Sequence, residues 1–158
     1  MRRAILGSLI AAVVLAALGL VLATQTTPTA GQPLVRGRVT SAGGQPAAGV
    51  KVWLNALPAG TLPRELQGGH KLVPVTVVGW AVTSAKGGYA IRITSPGALA
   101  PNATDGVVHF MLMTGRSTAW GTSGFSARVV PGLAGPSLML PSGGSEIADL
   151  HLSRGPAS

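Results

Sequence analysis

Two kinds of apolar pattern follow one another along the chain. Residues 4–23 are uncharged and nearly all apolar, preceded by Met1-Arg2-Arg3 and followed by a Thr- and Pro-bearing stretch, 24–33. From Leu34 onward the apolar runs become short and are punctuated by Gly, Pro, Ser and Asn. No run keeps a 3.6-residue period for more than one turn, the nearest being 63–67. Alternation and spacing predict strands at 34–40, 50–55, 75–84, 89–94, 107–114, 118–122, 125–130 and 147–152. Seven or eight short strands with no helix between them predict an all-β sandwich of two packed sheets. It spans 34–153, with a short tail at 154–158 and an apolar helix in front.

The first pattern has the order of a secretory signal: positive end, apolar core, small-residue exit. Val21 and Ala23 mark a cleavage position, giving a secreted product. The run is equally long enough to span a bilayer at ~1.5 Å per residue. An uncleaved anchor over 1–23 is therefore the alternative. Either way the arginines stay inside and the sandwich is placed outside the membrane.

Alternation also assigns faces. Val35 and Val39 point one way with Gly37, and Arg36 and Arg38 the other. Val50, Val52 and Leu54 share a face, opposite Lys51 and Trp53. Tyr89, Ile91 and Ile93 share another, opposite Arg92. Trp80 lies inside an apolar run and reads as core. Gly121-Thr122-Ser123-Gly124 reads as a hairpin turn between two strands. Residues 56–72 and 131–145 read as long connections, either mobile insertions or functional loops.

Motifs within the first half resemble a known family. Val35-x-Gly37-x-Val39 leads through Gly43-Gly44-x-Pro46 to Ala48-Gly49-Val50-x-Val52, and Thr83-x-x-x-Gly87-x-Tyr89-x-Ile91 follows. This resembles the carboxypeptidase regulatory-like, or prealbumin-like (transthyretin-like), domains, and is similar to the B-type repeats of bacterial collagen adhesins. The match covers 34–94, roughly half of the exported part. It implies an Ig-like, prealbumin-like sandwich in which Gly87 takes a positive-φ turn and Tyr89 anchors the next strand. Of function it implies only a stalk, spacer, adhesin repeat or carrier. The family's turn before the Tyr usually carries an Asp, and Ser84-Ala85-Lys86 has none. Lys51, on the face opposite Val50 and Val52, suits a surface lysine better than an internal crosslink.

Charge narrows the partners. Twelve Lys and Arg face four Asp and Glu, a formal net charge of +8. Removing Arg2 and Arg3 with the leader leaves about +6, which favours anionic partners. The cations are scattered, mostly arginine, and form no basic run, which argues against nucleic acid. With no cysteine there is no disulfide framework, thiol nucleophile or lipidation site. An exported domain without disulfides, rich in Ala, Gly, Pro and Arg, fits the bacterial cell envelope.

The inventory for catalysis is thin. The acids are Glu65, Asp105, Glu146 and Asp149, and none forms an evident flanking pair. His70, His109 and His151 are not at ligand spacing, so no metal and no cofactor is expected. No phosphate-binding Gly loop occurs. The sequence thus predicts a non-enzymatic structural or binding module. An anionic glycan or wall polymer would meet Arg36, Arg38, Lys51 and Trp53, provided the first two strands pair. The alternative is a membrane-anchored accessory subunit that binds an envelope protein.

Overall fold

The structure, a computed structural model, describes residues 33–63, 73–116, 119–133 and 135–154. The leader 1–23, the tail and His70 lie outside the described residues, as does all of the helical turn expected at 63–67 beyond Pro63. No described helix is long and apolar enough to cross a membrane.

Strands make up about half of the described residues and are arranged in two sheets. The small sheet centres on β1 (Val35–Thr40). On one side β1 pairs antiparallel with β4 (Gly88–Ile91). On the other it pairs in parallel with β9 (Glu146–Ile147) and β10 (Leu150–His151). The large sheet runs in the order β11 (Ser153–Arg154), β7 (Ala119–Val130), β6 (Val107–Arg116), β2 (Lys51–Ala56) and β3 (Thr76–Val82). Two short strands are added to it: β5 (Ala103–Thr104) on β6 and β8 (Ser137–Met139) on β7.

Alternation explains what each sheet hides. Val35 and Val39 of β1, Tyr89 and Ile91 of β4, and Val52 and Leu54 of β2 are buried between the sheets. Val108, Phe110 and Leu112 continue that layer on β6. Phe110 stacks on Phe125 across the β6–β7 pair, ring centroids 5.2 Å apart. Burial of such a side chain stabilises by roughly 1.5–3 kcal/mol, so this layer is the main source of cohesion.

The structure corrects several expectations. Positions 118–122 and 125–130 are not two strands joined by a turn. Thr122, Ser123 and Gly124 sit inside the continuous β7, opposite Met113, Leu112 and Met111. Gly124 has to be small because Pro63 crosses above it, and a Cβ there would collide with the proline ring. The closing strand at 147–152 is split into two-residue pieces, β9 and β10, both on β1 of the small sheet, and the chain then crosses to the large sheet as β11. The connection 131–145 contains β8 and buries Leu138 and Leu140. A 3-10 helix, Pro96–Asn102, burying Leu99, stands between the strands expected at 89–94 and 107–114, where the pattern predicts no element. Asp105 and Gly106, both at positive φ, turn β5 into β6, a hairpin whose Asp-Gly signature stands in the sequence.

Candidate functional site

On β1 the alternation sends Arg36 and Arg38 to solvent while Val35 and Val39 go inward. The backbone beneath them is fixed by two side-chain hydrogen bonds and one close backbone approach. The Tyr89 hydroxyl, buried opposite Gly37, donates to the Ala148 carbonyl. Gly37 has to be glycine, because a Cβ would overlap that same carbonyl oxygen. Asp149 Oδ1 accepts from the Arg38 N–H at 2.8 Å, replacing a ladder bond where the parallel strand is interrupted between β9 and β10. Burial, and secondarily the Asp149 charge, pushes the Tyr89 phenol well above its ordinary value. It is therefore a neutral donor at physiological pH.

Beside this face opens a notch of about 810 Å³. Arg36, Arg38, Ile147 and Asp149 line one side, Ala81 and Val82 of β3 the other, with Gly88, Tyr89 and Ala90 also lining it.

Lys51 and Trp53 belong to a different surface. Trp53 stands directly opposite Trp80 on β3 and opposite Met113 on β6, on the outer face of the large sheet. Lys51 Nζ lies 4.3 Å from the Trp80 ring centroid and 5.7 Å from that of Trp53. Such a cation–ring contact contributes ~0.5–1 kcal/mol when exposed, enough to orient the ammonium but not to hold a fold. Trp80 is therefore outside and 59% exposed, not in the core. The reason is local: the Cβ position of Gly79 already lies 2.7 Å from the Ile91 side chain, so only small residues, Gly79 and Ala81, fit the inner side of β3. The alternation Gly79-Trp80-Ala81-Val82, small against large, carried that information in the sequence.

The four residues expected to form one cationic face are thus divided into two pairs. The first two strands do not pair: β1 is in the small sheet and β2 in the large one. Arg36 and Arg38 share the notch, and Lys51 and Trp53 share the stack with Trp80. Val82 bridges them, standing opposite Lys51 in the β2–β3 register and lining the notch with both arginines.

The two described histidines are held by hydroxyls. His109 Nδ1 lies 2.7 Å from Ser126 Oγ across β6–β7, and His151 Nδ1 3.0 Å from Thr40 Oγ1. A serine nucleophile needs a third group to orient the imidazole, and among the described residues no carboxylate bonds to His109. No group of three or more metal-ligating side chains is gathered among the described residues.

Thr83 is a polar residue that sequence reasoning used only as part of a motif. It is buried, donates through Oγ1 to the Ala47 carbonyl at 2.6 Å, and accepts from the Val50 N–H at 2.9 Å. It ties the entry of β2 to the exit of β3, directly before the turn in which Gly87 adopts φ +75°.

No protein-family model matches the chain, and no curated protein matches it significantly.

Proposed function

We propose that the chain is a non-catalytic binding module of the cell envelope that engages an anionic glycan or wall polymer. In this reading an Ig-like, prealbumin-like sandwich stands outside the membrane, secreted or held by residues 4–23. The observation that carries the reading is the bridged pair of surfaces: an arginine-lined notch adjoining an exposed Lys–Trp stack through Val82. An acidic sugar polymer offers regularly spaced anions and apolar C–H faces. Arg36, Arg38 and Lys51 suit the anions, and Trp80 with Trp53 suits the ring faces. The exported part's net charge of about +6 draws such polymers from a distance.

The test is retention of the full chain, in detergent micelles, on purified wall material and on polygalacturonate, at low and high salt. Binding should fade with salt. Charge reversal at both positions (Arg36→Glu with Arg38→Glu) should weaken it by about tenfold or more. Retention unchanged by that double reversal would remove the notch from the site.

A second reading, an accessory subunit for a protein partner, is favoured by one observation. The outer edge of β3 pairs with no other strand among the described residues.

A further inference from the structure

The edge of β3 that faces away from β2 is not uniformly open. Pro74 precedes the strand, and the register slips between Leu54 and Asn55, leaving Val78 without a partner. A proline and a bulge are the devices that blunt an edge against unwanted pairing, and both act on its first half. The second half, Gly79 to Val82, has neither, and no charged residue of its own.

Main-chain direction follows from the ladder. The Thr83 N–H donates to the Val50 carbonyl at 2.9 Å. By antiparallel alternation Ala81 and Gly79 exchange bonds with β2, while Trp80 and Val82 turn their N–H and C=O groups outward. The same reasoning applies across the notch. The Val39 N–H donates to the Gly87 carbonyl, so Tyr89 and Ile91 bond to β1, and Ala90 turns away from it. Main-chain groups on both β3 and β4 are therefore presented toward the notch, and among the described residues none of those on Trp80, Val82 or Ala90 pairs with another strand.

From this geometry we infer that the notch accepts an extended acidic polypeptide, which adds as a strand to the Gly79–Val82 edge of β3 and sets its carboxylates against Arg36 and Arg38. The inference rests on the protein-partner reading above and names that partner's chemistry. An added strand satisfies outward N–H and C=O groups that a glycan matches poorly, because only a polypeptide repeats donors and acceptors at strand spacing. Its alternate side chains fall into two sets. One set packs on the exposed Trp80 and Val82, which are 59% and 53% accessible. Acidic character is selected in the other set by the two arginines on the notch wall.

The probe is an alternating Val–Glu peptide, acetylated and amidated, titrated into the full chain in micelles and followed by tryptophan fluorescence. Two further peptides carry N-methyl groups, one on every Val and the other on every Glu. An added strand has only one edge against β3, so one methylated form should bind about tenfold more weakly and the other nearly normally. The substitution Val82→Pro removes an outward N–H without cutting a bond to β2. It should abolish peptide binding while the urea midpoint stays close to the parent's, because no bond to β2 is lost. Equal binding of all three peptides would overturn strand addition and leave a polyanion surface alone. Peptide that fails to bind while polygalacturonate binds would overturn the polypeptide partner itself. Loss of both ligands in the Arg36→Glu, Arg38→Glu variant, with the peptide pattern intact in the parent chain, would support one shared notch.

Discussion

In the large sheet β6 and β7 pair in unbroken register from Val107↔Arg128 to Arg116↔Ala119. In the small sheet β1 meets its parallel neighbours over two residues at a time. The long ladder is continuous: alternation sends its inward residues to the core, and one side-chain pair, His109 with Ser126, adds a bond across it. The short ladders are completed by side chains: Tyr89 on Ala148, Asp149 on Arg38, Thr40 on His151, and Ser145 on the Pro33 carbonyl. One sheet is held by a pattern and the other by particular residues. The proposed site lies where they meet.

The largest test of that contrast sets one substitution in each sheet. Phe110→Ala removes a fully buried ring and should cost roughly 3–5 kcal/mol. Gly37→Ala adds a methyl where the Ala148 carbonyl already sits, and should cost on the order of 2–4 kcal/mol. Hydrogen exchange separates them. Phe110→Ala should raise exchange throughout both sheets, and Gly37→Ala chiefly in β1, β9 and β10. Uniform loss of protection in both variants would mean the sheets do not differ in how they are held.

The same contrast explains what could be read beforehand. The faces of β1, β2 and β4 were legible because alternation is a property of a strand alone. Partners were not, because alternation says which side a residue faces and nothing of which strand lies beside it. Arg36 and Lys51 were therefore assigned correct outward faces and an incorrect common sheet. Gly124 misled because a glycine demanded by Pro63 overhead has the same signature as one demanded by a turn. The two-residue strands at the end of the chain carry too few positions to alternate, and their placement depends on contacts with Tyr89 and Arg38, far away in sequence.

A medium effect is expected at Tyr89. Replacement by Phe keeps the ring and leaves the Ala148 carbonyl buried without its donor, costing about 1–2 kcal/mol. The parent chain should also show an alkaline weakness that the variant lacks. The folded phenol holds its proton more tightly than the unfolded one, whose value is about 10. Its contribution is complete below that pH and is lost as pH rises through the folded-state value. Urea midpoints measured from pH 8 upward should fall for the parent and stay flatter for Tyr89→Phe. Parallel curves would separate the phenol from the alkaline response.

The smallest effect distinguishes two jobs of one carboxylate. Asp149 accepts a hydrogen bond from the Arg38 N–H, and its charge is the second cause of the raised Tyr89 value. Asp149→Asn keeps a carbonyl acceptor at the same reach and removes the charge. At neutral pH its stability should stay within about 0.5 kcal/mol of the parent, because the bond is exposed and survives. Above pH 10 it should lose less stability than the parent, since a less elevated phenol narrows the interval over which folded and unfolded chains differ in bound protons. Asp149→Ala should show the same softened alkaline response but a lower neutral stability, having lost the acceptor. If Asn and Ala behave alike at neutral pH, the Arg38 backbone is not held by that acceptor. The arginine wall of the notch would then owe its position to Gly37 and Tyr89 alone.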